Sequence, residues 1–409
     1  VIKNVPTLLK KMAKHILGGI LLSFIVLLIP STVFCQTASD STAPKTDLGG
    51  YIKYLSSASG APGLDGILID NLIHNRVNFT WYPHKKWTVK VELRNRLFYG
   101  NQLSLIPNYG ALIDQYNGLL DLSVLWANNN QFVLHSVVDR LNVEYLGKKT
   151  AFRLGRQRIN WGINTVWNPN DLFNAFNYLD FDYEERPGSD AARFTWYTGT
   201  LSSFDVAVAP DTQLNQSVMA ARYRFNFKTY DIQFIGGYSR GDVVTGLGWT
   251  GYIKDAGFKG EASYFIPTQA SNDTSSALVA SIALDRQFGS IYLSLAGLYN
   301  GATAAGAPDL AALSGQAGIA AQGVSVRSLF PSRWATVAVA QKQLSPLSSG
   351  SIALIYSPNG DLVIGSPTFT LSVAQDWDLD LIGQTFFASN GQQWGHLGTS
   401  AFFRIRYSY

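Results

Sequence analysis

The chain is 409 residues long, 46 % hydrophobic and 13 % aromatic, with 15 % charged residues, 37 glycines and one cysteine. That balance is too apolar and too aromatic for a disordered, low-complexity or collagen-like chain, and one cysteine cannot staple a small secreted domain. The formal charge of +4 is no sign of nucleic-acid binding, because it resides wholly in Lys3, Lys10, Lys11 and Lys14, ahead of the first acid.

Residues 16–30 read ILGGILLSFIVLLIP. A basic flank, an apolar stretch and a polar exit make residues 1–35 a signal peptide cleaved before Gln36. Acylation of Cys35 as in a lipoprotein is the weaker reading, since bulky Phe34 precedes it. Only this run approaches helix-spanning length, which argues against a helical membrane protein. Residues 36–47 form a short Ser/Thr/Asp-rich periplasmic linker.

From 48 to 409 the hydrophobic period is two. The segment 86–99 reads WTVKVELRNRLFY from Trp87. Trp87, Val89, Val91, Leu93, Leu97 and Tyr99 share one face, with Asn95 the exception; Lys90, Glu92, Arg94 and Arg96 lie on the other. Strict alternation over more than ten residues predicts a long strand with one apolar and one polar face. About 18 such segments (range 16–18) follow one another, near 49–57, 70–82, 86–99, 134–146, 150–160, 191–199, 202–209, 217–228, 230–240, 243–254, 257–267, 277–287, 290–300, 333–344, 348–358, 361–373, 376–388 and 397–409. The first, 202–209 and 243–254 carry the weakest pattern.

Links after even-numbered strands are short, as at Gly147-Lys148-Lys149. The long ones, near 100–133, 161–190 and 301–332, all follow odd-numbered strands. This parity predicts an all-β fold: a single transmembrane antiparallel barrel over 48–409, with short periplasmic turns and long extracellular loops. The run 120–126 reads as a strand or helix within a loop, because adding it to the wall would break the parity.

The polar faces bring Arg76, Lys90, Arg94, Arg96, Arg140, Arg193, Arg222, Arg224, Lys259, Arg404 and Arg406 to the lumen, interleaved with Glu92, Glu144, Glu261, Asp378 and Asp380. Charges of this density need water, so the lumen is expected to be wet. They act either as a ladder that biases anions through a channel or as internal ion pairs that only solvate the lumen. In TAFRLGRQRINW (150–161) the alternation falters, and a bulge at Gly155 would turn Arg156 and Arg158 inward beside Arg153.

The loop after it is rich in aromatics and opens with Asn168-Pro169-Asn170-Asp171, a turn and cap signal. It is expected to fold into the barrel mouth and narrow it, with Asp171, Phe173, Asp180, Asp182, Glu184 and Glu185 as constriction candidates. The acids fit ion pairing with Arg153, Arg156 or Arg158. Calcium held by their oxygen ligands is the minority reading, because their spacing matches no EF-hand loop; no metal or other cofactor is expected. Five scattered histidines, without HExxH, GxSxG or a P-loop, give no reason to expect an enzyme. The final strand, FFRIRYSY, ends on aromatic Tyr409 and resembles the signal read by the barrel-assembly machinery of Gram-negative bacteria; the alternative is an ordinary amphipathic strand.

The runs LGRQRINWG (154–162), WNPNDLFN (167–174) and DYEERPGSDAAR (182–193), with that aromatic-ended strand, resemble a porin-like outer-membrane family of Bacteroidota-type bacteria, distantly similar to alginate-export and phosphate-selective porins. The resemblance implies a closed single-chain barrel in the outer membrane and passive transport, without fixing the substrate. The chain is compact beside the alginate exporters, which speaks against a polysaccharide. The expected function is a channel for passive diffusion of small solutes, anionic ones foremost. A non-conducting adhesion or assembly platform is the alternative and a barrel enzyme the third option. Expected partners are the lipid bilayer with its lipopolysaccharide, the barrel-assembly machinery and the solutes, but no nucleic acid. A homotrimer stays open.

Overall fold

A computed structural model of the protein describes residues 45–63, 65–114, 118–175, 188–268, 275–303, 325–389 and 393–409. The expected signal peptide and nearly all of the expected linker lie outside the described residues.

The strands are β1 (Thr46–Gly60), β2 (Leu68–His84), β3 (Trp87–Gly100), β4 (Ser123–Asn128), β5 (Phe132–Leu146), β6 (Thr150–Gln157), β7 (Ser189–Tyr197), β8 (Ser203–Ala209), β9 (Val218–Phe227) and β10 (Tyr230–Ser239). They continue as β11 (Asp242–Ile253), β12 (Ala256–Pro267), β13 (Ala277–Phe288), β14 (Ile291–Asn300), β15 (Trp334–Ser345), β16 (Ser348–Ser357), β17 (Leu362–Ala374), β18 (Trp377–Ser389) and β19 (Trp394–Ser408). Each pairs antiparallel with its neighbour, and β1 pairs with both β2 and β19, which closes the sheet on itself. The wall passes from β3 directly to β5, so the barrel has 18 strands and β4 is an extra one, as the link parity requires. Closure leaves no free edge in hydrocarbon, the condition any strand protein must meet there.

The alternation sets the two faces. Leu295, Phe234 and Leu354 are about half exposed on the outside, whereas Leu55 and Val279 face inward and are fully buried. Aromatic girdles ring both ends of the outer face. Trp87 packs on Tyr145 (5.1 Å) and Trp377 on Tyr407 (5.0 Å) at the short-turn end, and Tyr299 on Trp334 (4.7 Å) at the other. Lys228 and Lys254 adopt left-handed φ in two-residue hairpins at the short-turn end. Asn95, the break in the apolar face of β3, stands in an outward hydrogen-bond chain. Its amide donates to Asn75 Oδ1 (3.1 Å) and accepts from Ser136 Oγ (2.6 Å), which in turn accepts from Trp126 Nε1 (2.9 Å). Polar side chains on an apolar surface are tolerable when they satisfy one another in this way.

Two irregularities differ from the sequence reading. The register runs unbroken through Gly155, so the expected bulge is not there. Gly155 instead takes φ +109, and a Cβ would lie 2.2 Å from Leu141 O. The bulge lies on β5, where Asp139 is the extra residue between Val138 and Arg140, so that Asp139 and Arg140 both point inward. The inner face is also not uniformly polar. From β9 to β18 it carries Ala220, Ile235, Val244, Phe265, Val279, Leu298 and Ile355, all buried in one apolar cluster.

Candidate channel interior

The inner faces of β1, β2, β3 and β5 gather cations around one bulged carboxylate. Asp139 accepts from Arg76 NH1 at 2.6 Å and from Arg94 NH2 at 2.8 Å, and Arg76 also pairs with Glu92. Arg96 lies 3.1 Å from His135, whose other ring nitrogen is 3.0 Å from Asp114. Lys53 and Arg140 are buried nearby, and Lys90 is half-buried across from Asn142. A guanidinium shielded from bulk water needs a carboxylate with charge-assisted geometry, which these distances supply.

A second group continues round the wall. Arg153 bonds Glu144 at 2.6 Å and stands opposite Arg193 in the register. Asp205 accepts from Arg193 (2.7 Å), Arg222 (2.9 Å) and Thr195 Oγ1 (2.6 Å). Arg404 pairs with Asp380 at 2.9 Å, Arg406 with Asp378 at 2.7 Å, and Lys259 with Asp285 at 3.1 Å. Asp205 and Asp285 were not among the sequence candidates, although both lie on the inward parity of their strands. Asp139 could not be found by parity, because its bulge reverses the face.

Arg156 has a different position from Arg153. The β5–β6 pairing stops at Leu141 and Arg156, and above it β4 pairs with the rest of β5. The Arg156 guanidinium fills the resulting seam. It donates to Asp190 through Nε (2.8 Å) and NH2 (3.0 Å), to Val138 O (3.0 Å) and to Leu120 O. Arg158 is half-buried at the start of the following loop.

That loop enters the barrel. Ile159, Trp161, Val166, Trp167, Leu172 and Phe173 are buried against the apolar inner face, together with Val326, Leu329 and Phe330 of a second inward segment. Trp161 meets Phe173 edge-on at 5.1 Å, and Trp167 meets Phe330 at 6.0 Å. Glu261 on β12 anchors the backbone, its carboxylate accepting the N–H groups of Ile163, Asn164 (2.7 Å) and Asn170 (2.9 Å). Ser263 donates to Pro169 O, Ser281 to Trp167 O and Gln233 to Trp161 O. Asn170 fits because β11 has Gly246 and Gly248, where Cβ atoms would lie 2.7 and 2.9 Å from its amide. Asp171 is buried beneath Trp161 N–H (3.4 Å). Arg240, in the turn after β10, donates to Leu172 O (3.1 Å).

Asp180, Asp182, Glu184 and Glu185 lie outside the described residues. Among the described residues no group of three metal-ligating side chains comes together.

The closed antiparallel barrel is an architecture found in solved structures. It is the fold of the outer-membrane porins. Acinetobacter baumannii OccAB4 superposes with a TM-score of 0.59 at 9 % identity, over 90 % of this chain and 98 % of that one. Pseudomonas aeruginosa OprD gives 0.56 at 10 % identity, over 89 % and 95 %. OccD3 of the same species gives 0.53 at 10 %, over 88 % and 91 %. No protein-family model and no curated protein matches the chain. At these identities the likeness is one of fold.

Proposed function

We propose that the protein is an outer-membrane channel through which small solutes diffuse passively, with anions favoured. One observation carries this reading: the excess of cations over carboxylates on the inner wall. Asp205 alone faces Arg193 and Arg222, while Arg76, Arg94 and Arg140 surround Asp139, and Arg76 also holds Glu92. A wall of net positive charge in a low-dielectric ring raises the local anion concentration. The porin fold supports the reading, as does an outer face suited to lipid. Tyr409 as the assembly signal, contact with lipopolysaccharide and a homotrimer belong to the same proposal. The narrower kinship with alginate-export and phosphate-selective porins of Bacteroidota rests on the sequence runs at 154–193.

Reversal potentials of the purified protein in planar bilayers under a salt gradient test it. Anion preference is expected, and cation preference or a closed pore overturns it. A second reading, a barrel that does not conduct, is favoured by the apolar packing of Trp161, Trp167 and Leu172 across the lumen. Absence of conductance in correctly folded protein would select it.

A further inference from the structure

On the short-turn side of the inward loop, β9, β10 and β11 enclose a cavity of about 260 Å3 roofed by Asn160 and Gly162. Its walls present Arg222, Arg224, Asp231 and Thr250. The Arg222 guanidinium is already held, by Asp205 at 2.9 Å, by Gln233 Oε1 at 3.4 Å and over the Trp161 ring at 5.3 Å. Arg224 is exposed and has no ion pair among the described residues. Asp231 accepts from Asn226 Nδ2 at 2.9 Å, which fixes its carboxylate. The cavity therefore offers a guanidinium fork for an oxyanion on one side and a carboxylate and hydroxyl on the other. Its volume falls just below the roughly 300–1,000 Å3 of drug-sized sites, which suits a solute of hexose scale.

We propose that this cavity is a binding subsite for a small hydroxylated solute bearing one oxyanion group, a sugar phosphate or sugar acid. Arg224 is the oxyanion contact, since the planar fork matches phosphate and carboxylate alike. Asp231 and Thr250 take hydroxyl groups and so disfavour a bare inorganic anion. The subsite deepens the channel reading by giving the solute a residence point between the loop and the short-turn exit, and it rests on that reading for the route by which the solute arrives.

The detergent-solubilised full chain is titrated calorimetrically with glucose 6-phosphate, gluconate, glucose and inorganic phosphate. Glucose 6-phosphate or gluconate, whichever oxyanion the pocket takes, is expected to bind more tightly than glucose or inorganic phosphate. Arg224→Ala is expected to weaken that binding about tenfold or more, and Arg224→Lys to restore part of it. A retained gel shift of the unheated barrel shows that each variant is folded. No binding by either sugar anion, or equal binding by wild type and Arg224→Ala, overturns the proposal. Calorimetry does not require conduction, so the two readings fail separately. Anion conduction without binding removes the subsite and keeps the channel; binding without conduction does the reverse.

Discussion

Glu261 Oε2 accepts the backbone N–H of Asn170 at 2.9 Å, joining two residues 91 positions apart. The same carboxylate holds Ile163 and Asn164, so one buried side chain on the wall holds three backbone amides of the inward loop. Backbone amides in a buried loop must find acceptors, and here the wall supplies them.

Glu261→Ala therefore releases the loop. Each amide left unpaired costs about 1–3 kcal/mol, so the loop should loosen while the barrel, whose ladder is untouched, stays closed. Larger single-channel conductance and new protease cleavage within 158–175 are the expected results. Unchanged conductance would mean that the loop does not limit the pore.

The glycines of β11 make a complementary prediction. Gly248→Val places side-chain atoms where Asn170 and Ile163 sit, since even a Cβ would lie 2.9 and 2.8 Å from them. The variant should conduct like Glu261→Ala. Gly236→Val, at a glycine where a Cβ meets nothing, should behave as wild type in the same recording.

Selectivity should respond oppositely to the two sides of the cluster at Asp139. Asp139→Asn removes the carboxylate shared by Arg76 and Arg94 and should raise anion preference. Arg94→Ala combined with Arg96→Ala should lower it. Arg222→Ala should also shift toward cations, because it leaves Asp205 with Arg193 alone. Reversal potentials in a KCl gradient read all three; a shift of opposite sign would refute the charge assignment.

Tyr409 extends the β1–β19 seam that closes the barrel. Its backbone exchanges hydrogen bonds with Gly50 (2.9 and 3.0 Å), and its hydroxyl crosses β1 to donate to Arg76 O on β2 (2.9 Å). The ring lies over Gly50, where a Cβ would be 2.1 Å from Arg76 O and 2.8 Å from the hydroxyl. Gly50→Val should impair closure more than Tyr409→Phe, which keeps the ring. The fraction of protein showing the folded gel mobility after refolding into detergent measures both; a yield of Gly50→Val no lower than that of Tyr409→Phe would refute the ranking, and a wild-type yield of Tyr409→Phe would show that the crossing hydrogen bond is dispensable.

The alternation of side chains along strands, and of short and long links, determined the closed barrel from sequence alone, because a period of two leaves a strand in lipid one face for hydrocarbon and one for water. It also kept the run near 120–126 out of the count of full strands; β4 is a short strand that pairs with the upper part of β5 in the same sheet. The weak pattern of 243–254 had a cause invisible in one dimension: Gly246 and Gly248 are small to admit Asn170 from a distant loop. Asp139 was missed because a bulge reverses parity locally. Arg156 had no inward bulge to follow, and its guanidinium went to the seam that β6 leaves open. Only the tertiary structure decided which carboxylate neutralises which arginine and which inner faces are apolar, since both follow from strand register and from a loop folded back against the wall. Periodicity records which face a residue takes, but not what stands opposite it.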